Sequence, residues 1–422
     1  MAENSPGEGW FQPWMTDAEL KHTLGDYTAP KGLYKQTKEM PFLGGVTCNV
    51  DRLVAGEWTE IVLDYTVGAS GIADGAWIKA TFKFYSDWAL FQTSDPTAAN
   101  YVSAEYHAGP CAHGQSPATV QSLKVRFDQK GHERPFQKAI IVDTVDGYLK
   151  PGDHIIIRLG DRRGGGPGTR SQTFVEQGFR FRCYIDPLGT SRFCDIPGDV
   201  HIDIVPGVPA QLIMAGSRLV RPGQPCTVRV RAEDSWGNTC WNEDRQVHLT
   251  GSRDGATVYE TTIDLAKEGW SVAAVQDLPT AAGELELTAT MVDHPEVTAS
   301  VFYITADDAS PVDRVFYGDL HVHSDDTVGT NSTSYNLTYG RDIAGLDVLG
   351  YTANDFQITK SNWDAAVDLI DGLNVDGTFV CYPGTEWCGN SCAGGDHNVV
   401  FLHGKKPEFP FDDQGRIARS FE

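Results

Sequence analysis

The run VFYGDLHVH (315–323) places an apolar strand start in front of two histidines spaced two apart. Side chains of a strand alternate between its faces, so His321 and His323 project from one side and can grip one cation. Twelve His in 422 residues give about 0.3 such pairs by chance, so the pair gains its meaning from context. Downstream, 333–344 reads as a helix and LDVLGYTA (346–353) as an apolar strand. Ser361 to Asp364 forms a capping-box-like start, with Asp in place of Glu or Gln, to a helix whose Trp363, Val367 and Ile370 share a face. FVCYPGTEW (379–387) is the next strand. Strand–helix–strand order at this spacing predicts right-handed βαβ units and a parallel sheet. Ligands of such sheets gather at the carboxyl ends of the strands, where these histidines and Glu386 stand.

Upstream the texture is different. From 41 to 204, TEIVLDYTV (59–67), AWIKATFKFY (76–85), SLKVRF (122–127), KAIIVDTV (138–145), HIIIRLG (154–160) and FRFRCYI (179–185) are rich in Val, Ile, Phe and Tyr. Turn clusters separate them, and no helix-period segment intervenes. This predicts an antiparallel β-sandwich. A second β unit, 205–306, contains PCTVRVRAED (225–234), QVHLTG (246–251), ELELTATMV (284–292) and ASVFYIT (299–305). The turn from Asp234 to Asn238 resembles the Asp-x-x-Gly-Asn turn of bacterial Ig-like modules, which implies an Ig-like sandwich acting as a spacer. Residues 1–40 read as an arm with one short helical candidate, Thr16 to Thr23. A linker at 307–311 leads into the α/β segment, 312–422.

The balance of 34 Lys and Arg against 57 Asp and Glu gives a net charge of −23. It argues against sequence-independent binding to nucleic acid and to anionic membranes, since both need a basic face. No run approaches the roughly 18 apolar residues of a membrane span. The N-terminus shows neither a basic nor an apolar leader region, and the nine scattered Cys suit free thiols. Together these predict a cytoplasmic protein.

Glu386 ends an apolar strand, where its two oxygens could bridge two divalent cations. His397 opens the next apolar run, GGDHNVVFL, and offers a further nitrogen. Cys388, Cys392, His397 and His403 superficially suggest structural zinc, but the gap from Cys392 to His397 is far shorter than that of a zinc finger. The loop DRRGGGPGTR (161–170) could hold an anion through backbone amides and three Arg, although it lacks the Gly-Lys-Ser/Thr of a P-loop.

In the order GDLHVH, LGYTAND, PGTEW and GGDHNVVFL, the segment 312–422 resembles the PHP (polymerase and histidinol phosphatase) superfamily, in its long variety with β domains ahead of the barrel. The resemblance implies a multidomain chain: two N-terminal β-sandwiches, the second Ig-like, then the first half of an α/β, PHP-type, distorted TIM-like barrel. It implies two or three divalent ions (Zn, Mn or Mg) held by His321, His323, Glu386, His397 and Asn354, with Asp319 behind them. Asn354 stands where the family has a histidine, and it favours harder cations. Asp325 and Asp326 are stand-ins for a displaced Ser-Asp. The family's later ligands do not follow His403, so the resemblance implies a fragment or a barrel completed by another polypeptide. The activity implied is metal-dependent hydrolysis of a small phosphoester by a metal-activated water. The reading from another class is an inactive β-rich binding or scaffold protein with a degenerate PHP-like segment.

Overall fold

Alternating burial along Ile61–Val67, where Ile61, Leu63, Tyr65 and Val67 are buried and the residues between them are not, shows how the first sandwich is built. In the computed structural model, residues 43–88, 90–111, 114, 116–196, 200–389 and 394–402 are described. The arm expected at 1–40, with its helical candidate, lies outside them. The chain divides at Ile204 and Val205 into two units.

The first unit has a four-stranded sheet, ordered Gly44–Cys48, Ile61–Val67, His154–Leu159, Val102–His107, with antiparallel neighbours throughout. A second sheet is centred on Glu176–Asp186, Trp77–Phe82 and Lys138–Val145, also antiparallel. One core fills the space between the sheets, with Phe82, Trp88, Phe179 and Phe181 in mutual ring contact. The loop at 161–170 does not present three open guanidinium groups. Arg162 donates to the carbonyls of Trp58 and Pro167, and Arg163 binds Asp161 and Glu105. The Arg163 guanidinium in turn holds the Asp161 carboxyl well below the usual carboxylate range.

The second unit begins with an Ig-like sandwich. A three-stranded sheet (Gln211–Gly216, Val228–Glu233, Val272–Val275) faces a five-stranded one (Leu219–Val220, Ser300–Ala306, Gly283–Met291, Gln246–Arg253, Ala256–Asp264). Their inward side chains, among them Val228, Leu249, Leu287 and Phe302, form a core of their own. The turn at 234–238 is organised by the Asp234 carboxylate, which accepts from the amides of Gly207, Trp236 and Asn238 and from the Asn238 side chain. Gly237, at φ 87°, supplies the left-handed residue that the turn requires.

Beyond the linker, Gly318–Val322, Val348–Tyr351 and Val380–Tyr382 pair in parallel. The helix Lys360–Leu373 covers them with Trp363, Ala366, Val367, Ile370 and Leu373, a stripe at helical spacing. Its cap is Thr359, whose side chain accepts from the Asn362 amide, and not Ser361 as the capping-box reading expects. The helix expected over 333–344 divides into an α-helix, Thr333–Thr338, and a π-helical turn, Tyr339–Ala344.

The expectation of a half α/β, PHP-type, distorted TIM-like barrel is corrected here. Among the described residues, strand accounts for 45% and helix for only 8%. The apolar runs at 346–353 and 379–387 each break in two, the latter at Pro383, which has no amide to give a ladder. Their second halves, Ala353–Asn354 and Gly384–Trp387, enter a separate three-stranded sheet, and its last strand, His397–Val400, returns antiparallel. A TIM-like barrel needs successive parallel strands joined by helices. Among the described residues, this segment makes two small open sheets instead.

Two outcomes follow. Asp234→Ala should leave buried donors without an acceptor and cost about 2–3 kcal/mol, read as a lower urea midpoint at unchanged slope. His132 lies against Tyr184, with ring centroids 4.4 Å apart, and burial, aided by the charges of Lys79 and Arg182, lowers its pKa from 6.5 to about 3. A histidine kept neutral in the fold but protonated when unfolded contributes stability that is intact above about pH 6.5 and lost as pH falls towards about 3. His132→Gln should therefore narrow the drop in melting temperature between pH 7 and pH 5. An equal drop in both proteins would contradict the buried neutral ring.

Candidate metal centre

His321 and His323 flank Val322 at the carboxyl end of the first parallel strand. A register shift between Asp319 and Val322 marks a bulge in that strand, and the Asp319 carboxylate accepts from the His321 amide at 2.9 Å. Asp319 thus supports the backbone of the site and not an imidazole. The two rings meet edge to face, with Nε2 atoms 3.0 Å apart. Glu386 stands between them: Oε2 is 3.2 Å from His323 Nε2, and Oε1 is 3.8 Å from His321 Nε2. The donor atoms of the three residues lie within 4.8 Å of one another, the one such grouping found among the described residues.

Exposure is graded across the trio. The His321 side chain is 48% exposed, His323 19% and Glu386 12%, so an ion could enter from the His321 side. Burial lowers the His323 pKa; the Glu386 charge opposes this and His321 adds to it. A neutral imidazole is the form that binds a metal. His323 Nδ1 is buried without a hydrogen-bond partner, while the His323 carbonyl is held by the Asn336 side chain.

Across the second small sheet, Asn354, Glu386 and Asn398 stand directly opposite one another in a row. Asn354 Nδ2 donates to Glu386 Oε2 at 2.5 Å and to Cys388 Sγ at 3.3 Å, and its Oδ1 is buried without a partner. Asn354 is therefore next to the trio and orients Glu386. His397 is one step off this row. It pairs with Trp387 and stacks on its indole at 5.5 Å, on the strand face opposite Glu386. His397 is thus not brought to the trio.

Asp326 is held within a structural network: Thr333 and Tyr351 both donate to its Oδ2, at 2.5 and 3.0 Å. The Asp325 amide donates to the Asn331 carbonyl. Cys392 and His403 of the zinc-like set lie outside the described residues. Cys388 is a thiol whose pKa burial pushes up to about 12, which suits a hydrogen-bonding neighbour of Asn354. Sequence reasoning missed Asn398, whose side chain donates to the Leu320 carbonyl beside the histidines; Asp355, the alternative to Asn354 in the same LGYTAND motif, accepts from the Cys388 amide. The HNVV run contained the signal for Asn398, displaced by one residue from the histidine that drew attention.

No protein-family model matches the chain, and no curated protein matches it. Among solved structures it is similar to the Escherichia coli adhesin FdeC, at 13% identity over 63% of this chain and 64% of that one, TM-score 0.22. It is similar to the D0–D1 domain of intimin, at 12% identity over 62% and 97%, TM-score 0.18. A cohesin module from a Clostridium perfringens family 33 glycoside hydrolase matches at 13% over 39% and 99%, TM-score 0.23. At these TM-scores the similarities carry no argument about what this chain binds.

The resemblance to the PHP superfamily is corrected by the topology described above, a β-rich chain with no barrel among its described residues. The metal-dependent phosphoester hydrolase inferred from it is corrected as well. A dinuclear centre bridged by Glu386 needs a second set of donors around that carboxylate. The strand pleat turns His397 away, and the Asn354 amide faces Glu386 as a hydrogen-bond donor.

Proposed function

We propose that the chain is a β-rich binding or scaffold protein that holds one divalent cation on His321, His323 and Glu386. The supporting observation is the Nε2 to Nε2 approach of 3.0 Å with a carboxylate oxygen beside each ring. Two neutral imidazoles placed so can share only one proton, whereas a cation satisfies both lone pairs and the carboxylate together. Two nitrogens and one oxygen suit Zn²⁺ or Mn²⁺. Three protein donors leave coordination positions for water or for a donor on a bound partner. The binding role is further supported by the two sandwiches, whose separate cores make them spacer modules in their own right. No reaction is part of this reading.

His323→Ala and Glu386→Gln should each weaken Zn²⁺ retention by about ten-fold or more, while His397→Ala leaves it unchanged. Asn354→Ala should weaken it by about ten-fold through lost orientation of Glu386. Competitive chelator titration measures all four. Affinity that is indifferent to His323 and Glu386, or that collapses in His397→Ala, would sink the assignment.

A further inference from the structure

A cleft of about 640 Å³ opens within the second unit, between the Ig-like sandwich and the amino ends of the three parallel strands. It lies at the opposite end of that sheet from His321, His323 and Glu386: its walls include Arg314, Phe316, Asp347 and Phe379, which immediately precede the strands starting at Gly318, Val348 and Val380. From the sandwich side come Thr227, Arg229 and Gln276.

The charges in this cleft pair off with one exception. Arg314 binds Asp347 at 3.0 Å, Arg341 grips Asp342 through two bonds of 2.8 Å, and Asp313 is served by Arg221 at 3.0 Å. Arg229 has no carboxylate within salt-bridge distance among the described residues. Its Nε donates to the Asp342 carbonyl at 2.9 Å, and no acceptor there meets its two Nη groups. Burial lowers its pKa, the Asp342 and Asp347 charges act against this, and Arg341 adds to the lowering. A half-buried guanidinium of this kind favours an anion supplied from outside. Gly345 keeps the space around it open: at φ 76° it carries no Cβ, and one built there would sit 3.1 Å from Arg229 Nη1. Beside these polar groups are apolar walls. Phe316 is 61% exposed, with the Arg314 guanidinium 4.5 Å from its ring centre.

We infer that this cleft binds a small organic oxyanion, its charged end on the Arg229 guanidinium and its apolar body against the exposed Phe316 ring. The chemistry is that of a carboxylate or phosphate monoester carrying a ring or short hydrocarbon. The site is independent of the cation trio, and the test removes the cation as a competing holder of anions.

Isothermal titration of the full chain in excess chelator, with benzoate, phenyl phosphate and inorganic phosphate as probes, decides it. Benzoate or phenyl phosphate should bind more tightly than inorganic phosphate, and the stronger of the two names the acid group preferred. Arg229→Gln should weaken that probe by about ten-fold or more. Because Arg229 also supports the end of the π-helical turn, Gln276→Glu is the second variant. Gln276 is exposed, so the added carboxylate should weaken binding several-fold with no change in melting temperature. Absence of binding by all three probes, or an affinity that neither variant changes, would overturn the assignment. Inorganic phosphate binding as tightly as phenyl phosphate would overturn the role of the apolar wall.

Discussion

Every side chain on a strand is committed to one face or the other, and this alternation governs both the cores and the candidate site. Along Ile61–Val67 it sends alternate residues into the first sandwich, and along Val228–Glu233 it does the same for the second. At the end of Gly318–Val322, across a register shift between Asp319 and Val322, His321 and His323 still meet, Nε2 to Nε2 at 3.0 Å. Across the last small sheet it lines up Asn354, Glu386 and Asn398 and sends Trp387 and His397 the other way. One residue of register separates a three-donor grouping from a four-donor one. A strand cannot relax that difference without moving every side chain it carries to the wrong face.

The β strands were the part most readily read from residues. Lys138–Val145 matches its apolar run, and Gln246–Arg253 and Ser300–Ala306 lie within a residue or two of theirs. Two that escaped notice are polar or small: Val102–His107 reads VSAEYH, and Ala256–Asp264, largely exposed, reads ATVYETTID. Such strands are fixed by the neighbours they pair with, which local composition does not reveal. The candidate trio was legible because strand period and strand-end position are local properties. His397 was misjudged because its face depends on pairing with Trp387, a long-range fact. The barrel was misjudged for a related reason. An apolar run ending in Pro-Gly-Thr-Glu reads as one strand, and only tertiary pairing shows that Pro383 divides it between two sheets.

Within the second unit, the Ig-like sandwich is more than a spacer. Arg229 and Arg231 reach the carbonyls of Asp342 and Ile343 at the end of the π-helical turn, where cations are favoured by the exposed carbonyl dipoles. Thr239 meets the Tyr339 hydroxyl at 3.0 Å, and Trp270 packs edge-on against Tyr335 and Tyr339. These contacts fix the turn that leads, through Gly345, into Val348–Tyr351. The strand so placed is followed by Thr352, whose amide and hydroxyl both bond to the Val322 carbonyl between the two histidines.

That chain of contacts gives the two ends of the small parallel sheet different properties. At the amino ends, carboxylates are matched by arginines and one guanidinium is left over. At the carboxyl ends, two imidazoles and a carboxylate converge with no cationic side chain among the contacts they make. The first end therefore suits the proposed anion and the second the proposed cation. The strands between them are short: Gly318–Val322 has five residues, Val348–Tyr351 four and Val380–Tyr382 three. At roughly 3.3 Å per residue, such strands span only about 10–17 Å. Even over that distance the proposed anion cleft and the proposed cation trio share no lining residue.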